Sequence, residues 1–253
     1  MKLNPFYRKL LYLYLALTAV LYVMILTAMA RTPYAFYSRI MYTAVLVNLA
    51  AGGIPALGRI REEGIRKTAK DFHIPAALLM TAVADYFLTL CPRGPVFGGR
   101  VLLPEGGNME TGVICFCLVQ GIYTLYLGAG KKETARRLLA FGLLFVFLRI
   151  TGYLNLLTAA AALDISLLGN NAYDAVKRYG ERRSLELLYF CEGMILFLGC
   201  DLSLGLRELT VMVPGLQNER LFSVCALLTW IFYIPSQTAI VLSYASGSEG
   251  ESQ

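Results

Sequence analysis

The sequence predicts an all-α polytopic membrane protein with about eight transmembrane helices. Hydrophobic residues make up 57% of the 253 residues and charged residues only 16%, and the mean hydropathy is +0.58. These values lie outside the range of an ordinary soluble domain. An apolar run of about 17 to 25 residues can cross a hydrocarbon core about 30 Å thick. Eight candidate segments are present, at residues 10–29, 38–57, 74–91, 111–129, 136–150, 152–169, 185–206 and 221–244.

The distribution of Lys and Arg supports an even number of spans with both termini in the cytoplasm, because cytoplasmic loops accumulate basic residues. If every second connection is cytoplasmic, that side holds 16 of the 23 Lys and Arg residues, at positions 2–9, 59–70, 131–137 and 177–183. We therefore expect an integral protein of the cytoplasmic (inner) membrane. The net charge of +6 then indicates attraction to anionic lipid headgroups, not nucleic-acid binding.

The segments are predicted to form one transmembrane domain over residues 1–245, followed by a disordered tail at 246–253. The longest connection, residues 92–110, is rich in Pro and Gly and predicts turns. The fifth and sixth segments are separated by a very short turn around Gly152. Either both of these segments cross the membrane, or one of them is a re-entrant segment.

Two carboxylates lie inside predicted spans. Asp85 is near the middle of the third segment, and Asp201 lies inside the seventh. A carboxylate at bilayer depth costs at least about 2.5 kcal/mol, so such residues usually face a bundle interior and have a function there. We therefore expect Asp85 and Asp201 to mark a site.

The spacing around the two carboxylates indicates an internal repeat. Gln120 follows Asp85 by almost the same interval as Gln237 follows Asp201, and each interval spans a helix, an outer loop and the next helix. The pattern predicts two parallel four-helix halves, residues 1–130 and 131–245, related by an axis along the membrane normal.

The third, fourth, seventh and eighth helices are expected to converge on one polar cavity. Residues three or four apart share a helix face, which selects further polar side chains on these helices. The alternative role for these polar side chains is to form hydrogen bonds that hold neighbouring helices together. Besides the two Asp residues, the candidates are Thr81, Gln120, Tyr123, Tyr233 and Gln237.

Other chemistries lack the residues they need. The chain has one histidine, His73, and no acidic or thiol cluster at ligand spacing, so we predict no metal site. The six cysteines include no CxxC pair, which favours packing over redox chemistry. No nucleotide-binding or Ser-hydrolase fingerprint is present.

Four segments together resemble the YhhN-like lysoplasmalogenase family of eight-helix membrane proteins. Ala84 to Leu90 is similar to its Gly-Asp motif, and Phe116 to Tyr123 to its Phe-x-x-x-His-x-x-Tyr helix. Gly193 to Asp201 resembles its Gly-x-x-x-Phe-x-x-Ser-Asp helix, and Tyr233 to Gln237 its Tyr-x-x-Ala-Gln ending. The resemblance covers four of the eight predicted helices in the family's order.

The chain departs from the family pattern at three of these motif positions. Ala84 replaces Gly, Gln120 stands where His is usual, and Cys200 replaces Ser. The Lys-Pro pair that the family usually carries upstream of the first Asp has no clear counterpart.

The resemblance implies hydrolysis of the vinyl ether bond of lysoplasmalogens, which gives a fatty aldehyde and a glycerophospho-alcohol. Asp85 and Asp201 would be the catalytic acid and base, the five further candidates would contact the lysophospholipid, and no cofactor would be needed. Two other classes fit midplane carboxylates. They are a proton-coupled lipid or small-solute transporter and a non-catalytic membrane sensor.

Overall fold

The computed structural model of the chain describes residues 5–29, 34–63, 72–90, 96–97, 100–101, 107–213 and 216–247. Over these residues the chain is helical apart from one short hairpin, which confirms the predicted all-α class. The described α-helices are α1 (Pro5–Met29), α2 (Tyr34–Glu63), α3 (His73–Asp85), α4 (Gly107–Tyr126), α5 (Lys131–Thr151), α6 (Leu156–Arg182), α7 (Leu185–Met212) and α8 (Glu219–Gly247).

Five of the described helices are long and apolar enough to cross a membrane, which indicates an integral membrane protein. α3 and the helical turn that follows it form a shorter apolar segment, His73–Leu88. The five long apolar segments are Lys9–Met29, Arg39–Ala56, Met109–Tyr126, Leu185–Thr210 and Glu219–Ser246.

α5 and α6 are helices, as predicted, but they lie outside this apolar set. α5 carries Arg136 and Arg137 near its start and Arg149 near its end, and α6 carries Asp164 and Asp174. At 1.5 Å per residue, the apolar stretch between Arg137 and Arg149 is shorter than the hydrocarbon core. The eight-span topology therefore stays a prediction.

The short turn between α5 and α6 is confirmed, and its sequence explains it. Gly152 ends α5 with φ 77°, a left-handed conformation that glycine adopts without strain. The Asn155 side chain accepts from the N–H of Thr158 at 2.9 Å, and the Thr158 hydroxyl accepts from the N–H of Asn155 at 2.9 Å. α6 continues to Arg182, beyond the predicted end at residue 169, because polar and charged residues that follow an apolar segment can continue its helix.

The connection predicted as turns contains a hairpin that sequence analysis did not predict. Strand β1 (Val96–Phe97) pairs antiparallel with β2 (Arg100–Val101), and α4 then begins at Gly107. At the C-terminus, α8 extends to Gly247, two residues into the predicted tail. The rest of that tail, residues 248–253, lies outside the described residues.

The chain divides into two compact units. One, the terminal unit, comprises Met1–Ile40 and Ala175–Gln253, and the other, the central unit, comprises Met41–Asp174. The two predicted four-helix repeats stay a prediction.

In the terminal unit, α7 and α8 pack together closely. Gly193 on α7 lies against the backbone of α8, where a Cβ would be 2.7 Å from Ile240 Cγ1 and 3.2 Å from the carbonyl oxygen of Ser236. Small residues at membrane helix interfaces permit this approach. α1 also contacts α8, and the hydroxyl of Tyr22 donates to the carbonyl oxygen of Ile231 at 3.2 Å.

In the central unit, α3 packs against α4. Gly112 on α4 fits against the end of α3, where a Cβ would lie 2.6 Å from Leu88 Cδ2 and 3.2 Å from the carbonyl oxygen of Ala84. Leu78 on α3 and Val119 on α4 are buried. This helix pair positions the first predicted carboxylate.

Candidate functional site

Asp85 is the last residue of α3 and is only 4% exposed. The chain then forms a π-helical turn over Tyr86–Leu90. Single π turns within helices are rare, and those that occur often lie at functional sites. The wider turn changes the direction of the side chains beside it. The carboxylate thus lies at the one point where α3 departs from regular α-helix.

The other polar residues predicted on α3 and α4 are also buried. Thr81 is one turn before Asp85 on α3, and Gln120 and Tyr123 lie on α4. Neither Thr81 Oγ1 nor Gln120 Nε2 has a hydrogen-bond partner within the described part of the chain. Polar atoms left unpaired in an apolar interior are costly, so these groups are candidates for contact with a ligand.

The remaining predicted residues lie on the α7–α8 pair. Asp201, on α7, is half-buried, whereas Tyr233 and Gln237, on α8, are buried. The ring of Tyr233 packs edge-on against Phe197 and Trp230, with centroids 6.1 Å and 5.4 Å away. Both the oxygen and the nitrogen of the Gln237 amide lack a partner among the residues that the structure describes.

The predicted site residues therefore lie on two packed helix pairs. Asp85 and Gln120 belong to the α3–α4 pair of the central unit, and Asp201 and Gln237 belong to the α7–α8 pair of the terminal unit. The convergence of both pairs on a single cavity stays a prediction.

A second polar group in the central unit was not predicted as a site. Its members lie on α4, α5 and α6 and include Gln120. From sequence, the two arginines of this group are interpreted only as basic residues of a cytoplasmic loop. The signal that could have indicated the group is the close spacing of its three polar residues on α6. We call this group the arginine cluster; it comprises Gln120, Thr124, Arg136, Arg137, Asn170, Asn171 and Asp174.

Asn171 joins the three helices of the cluster. Its amide nitrogen donates to the backbone oxygen of Gln120 at 2.9 Å and to Gln120 Oε1 at 3.1 Å. Its amide oxygen accepts from Thr124 Oγ1 and from Arg137 Nη2, both at 2.9 Å. A predicted site residue, Gln120, is thereby connected to a buried guanidinium through one amide group.

Asp174 binds both arginines. Its Oδ2 accepts from Arg137 Nη2 at 2.7 Å, and its Oδ1 accepts from Arg136 Nη2. Arg136 also donates from Nε to Asn170 Oδ1, and its guanidinium stacks 4.5 Å from the centroid of the Tyr173 ring. The arrangement places two positively charged guanidinium groups next to one carboxylate.

No group of three or more His, Cys, Asp or Glu side chains suited to a metal ion occurs in the described ranges. Of the cysteines that the structure describes, Cys191, Cys200 and Cys225 are buried and form no disulfide with one another. Cys117 donates to the carbonyl oxygen of Ala160 at 3.3 Å, a contact between α4 and α6.

Comparison of the chain with known protein families, with curated proteins and with solved structures found no match in any of the three.

Proposed function

We propose that the protein is a membrane-embedded hydrolase that cleaves the vinyl ether bond of lysoplasmalogens with Asp85 and Asp201 as its acid and base. The observation that carries the proposal is the burial of Asp85 at the start of the π turn, on a helix pair that also holds Thr81 and Gln120. The resemblance of four segments to the YhhN-like family supplies the substrate class.

The chemistry needs only carboxyl groups and water. A protonated carboxyl transfers its proton to the alkenyl carbon that is not bonded to oxygen, which leaves an oxocarbenium ion at the neighbouring carbon. Water adds to that carbon and loses a proton to the second carboxylate, giving a hemiacetal. The hemiacetal hydroxyl then gives its proton to the first, now ionised carboxylate, the bond to the glycerol oxygen breaks, and that oxygen takes the proton held by the second carboxyl group. Aldehyde and alcohol are released, and both carboxyl groups return to their starting states. Two carboxyl groups in different environments perform the comparable steps in glycosidases.

We assign the acid role to Asp85 and the base role to Asp201. Asp85 is buried and Asp201 is half-buried. Burying a charge in an apolar interior costs more than burying a neutral carboxyl group, so the more enclosed residue suits the protonated role. The ionised Asp201 would stabilise the oxocarbenium ion and orient the water.

Burial and hydrogen bonding also suit the polar residues to a lipid substrate. The unpaired groups of Thr81, one turn before Asp85, of Gln120 on α4 and of Gln237 on α8 can bind the ether oxygen and the glycerol hydroxyl. A site reached from the bilayer would admit a single-chain lipid without extracting it into water. Eight spans with both termini in the cytoplasm form part of this proposal.

The test is release of aldehyde from a purified lysoplasmalogen by the protein in detergent. Asp85→Asn and Asp201→Asn preserve shape but remove the titrating proton, so each should lower turnover by roughly 100-fold or more. Glu192→Gln is the matched control, because Glu192 is an exposed carboxyl on the same helix as Asp201. If both Asn variants fold and release aldehyde at the parent rate, the two carboxylates are structural and the proposal is wrong.

A second candidate, a proton-coupled lipid or small-solute transporter, is favoured by one feature of α8. Pro235 lies inside the continuous helix α8, next to Ser236 and Gln237, whose side chains lack partners among the described residues. Proline beside polar residues in an apolar helix is a feature that transporter binding sites often share. Uptake into liposomes without product, in a preparation that releases no aldehyde, would favour transport.

A further inference from the structure

We infer that the arginine cluster binds a phosphate group, carried either by a lipid headgroup or by a soluble phosphate compound. This inference concerns binding and does not depend on the proposed hydrolysis. It rests on unused hydrogen-bond donors, on net charge and on the position of the cluster in the central unit.

The guanidinium of Arg137 is buried with most of its donors unused. Its side chain is 4% exposed, and its Nη2 donates to Asn171 and Asp174, which uses both hydrogens on that nitrogen. The hydrogen on Nε and the two on Nη1 have no acceptor in the described part of the chain. A buried charged donor without an acceptor is strongly destabilising, so the cluster is incomplete as it stands.

The nearby acceptors are already occupied. Both oxygens of Asp174 accept from arginines, and the amide oxygens of Asn170 and Asn171 accept from Arg136 and Arg137 respectively. Gln120, bonded to the same Asn171 amide, adds another unused donor at its Nε2. The cluster therefore lacks acceptors only, and the group that completes it must accept several hydrogen bonds.

The charge balance points to an anion. Two guanidinium groups face one carboxylate, which leaves one positive charge uncompensated within the cluster. An uncompensated charge in a low-dielectric region attracts a counter-ion more strongly than the same charge at a solvated surface. Neutral acceptors such as water would satisfy the donors but would leave the charge.

Phosphate suits both the donor geometry and the position. Its oxygens are charged acceptors, and several of them can accept hydrogen bonds from guanidinium and amide donors at once. The two arginines lie near the start of α5, at the end of the helix predicted to face the cytoplasm, where headgroups and soluble phosphates are both available. Arg136 is 38% exposed and Arg137 is buried, so the pair extends from the surface inward. The buried donors are closed to solvent, and binding therefore requires one of the two side chains to shift.

Binding can be measured with the full chain in a maltoside detergent, which contains no phosphate. The probes are inorganic phosphate, glycerol 3-phosphate, ester-linked lysophosphatidylcholine and palmitate, none of which has a vinyl ether bond. A ligand that binds only the folded protein raises the unfolding temperature in a saturable manner. We expect at least one phosphate probe, and not palmitate, to raise it.

Arg137→Lys is the decisive variant, because it keeps the positive charge but removes the Nε and Nη1 donors of the guanidinium. We expect it to weaken phosphate binding roughly 10-fold or more. Lys132→Gln is the matched control, since it removes an exposed charge from the same helix end and should leave the affinity within about two-fold. Arg137→Gln combined with Asp174→Asn removes the buried ion pair as a unit, and it replaces Arg137→Lys if that variant does not fold.

The results distinguish a soluble phosphate ligand from a lipid headgroup, and they distinguish failure of the binding inference from failure of the proposed hydrolysis. Binding of inorganic phosphate or glycerol 3-phosphate supports a soluble ligand, whereas binding of the lysophospholipid alone supports a lipid headgroup. The inference is overturned if no phosphate probe binds, if palmitate binds equally well, or if the Arg137 variants bind as the parent does. Failure of aldehyde release has no bearing on these measurements.

Discussion

The hydroxyl of Tyr22 on α1 donates to the carbonyl oxygen of Ile231 on α8 at 3.2 Å. In a regular helix that oxygen would accept from the N–H of the residue four positions later, which here is Pro235. Proline has no N–H, so the carbonyl is left for another donor. A side chain of a neighbouring helix thus satisfies a backbone group that the proline frees within the apolar region.

Tyr22→Phe should therefore destabilise the protein only while Pro235 is present. We expect a loss of about 0.5 to 1.5 kcal/mol in the parent background, measured by unfolding in mixed detergent. In the Pro235→Ala background the alanine N–H supplies the bond, and the loss should fall to near zero. Tyr12→Phe is the control, because Tyr12 is an exposed tyrosine on the same helix. Equal losses in both backgrounds would contradict this account.

Gly112 is expected to determine the position of the π turn beside Asp85. Gly112→Ala places a Cβ 2.6 Å from the Leu88 side chain and 3.2 Å from the Ala84 carbonyl oxygen, so the Leu88 side chain or the turn that carries it has to shift. We expect turnover of lysoplasmalogen to fall roughly 10-fold or more, since small displacements of a catalytic group are costly.

Two further substitutions test that prediction. Gly121→Ala, on the same helix with open space around its Cα, should leave turnover unchanged. Leu88→Ala in the Gly112→Ala protein should restore part of the loss, because it removes the side chain that the new methyl group meets. A Gly112→Ala protein with parent turnover would show that the turn does not position Asp85 for the proposed hydrolysis.

Gln120→His should retain or raise the hydrolytic rate. The side-chain oxygen of Gln120 accepts from Asn171 at 3.1 Å, and a neutral imidazole nitrogen can accept the same bond. Gln120→Leu removes that acceptor and should lower the rate. The measurement is the rate of aldehyde release by the parent, the Gln120→His variant and the Gln120→Leu variant. A Gln120→Leu variant that is faster than the parent would count against a role for Gln120.

The topology predicts a cytoplasmic C-terminus. An alkaline phosphatase fused after Gln253, which is active only outside the cytoplasm, should give no activity. The same reporter inserted after Gly98, in the connection predicted to lie outside, should be active. Activity at Gln253 would contradict the cytoplasmic C-terminus, and activity at both sites would contradict the eight-span model.

The helices and the buried carboxylate could be predicted from the sequence for the same reason. Apolar runs and the cost of charge in lipid are local properties, so they identified α7, α8 and the exceptional position of Asp85. Burial of Gln120 and Gln237 likewise agrees with their predicted place on polar stripes. The true extent of α6 was missed because hydropathy reports only the part of a helix that suits lipid.

Local residue chemistry was enough to predict a helical chain suited to a membrane, with two carboxylates inside apolar segments. The π turn after Asp85, the pairing of Tyr22 with the carbonyl that Pro235 frees, and the burial of Arg137 became known from the fold. A hydrogen bond or a close contact depends on which helices become neighbours, and no local pattern in the sequence specifies that. In the sequence, Arg137 is one more basic residue near a helix end. Its burial between helices and its unused hydrogen-bond donors are known only once the positions of α4 and α6 are known.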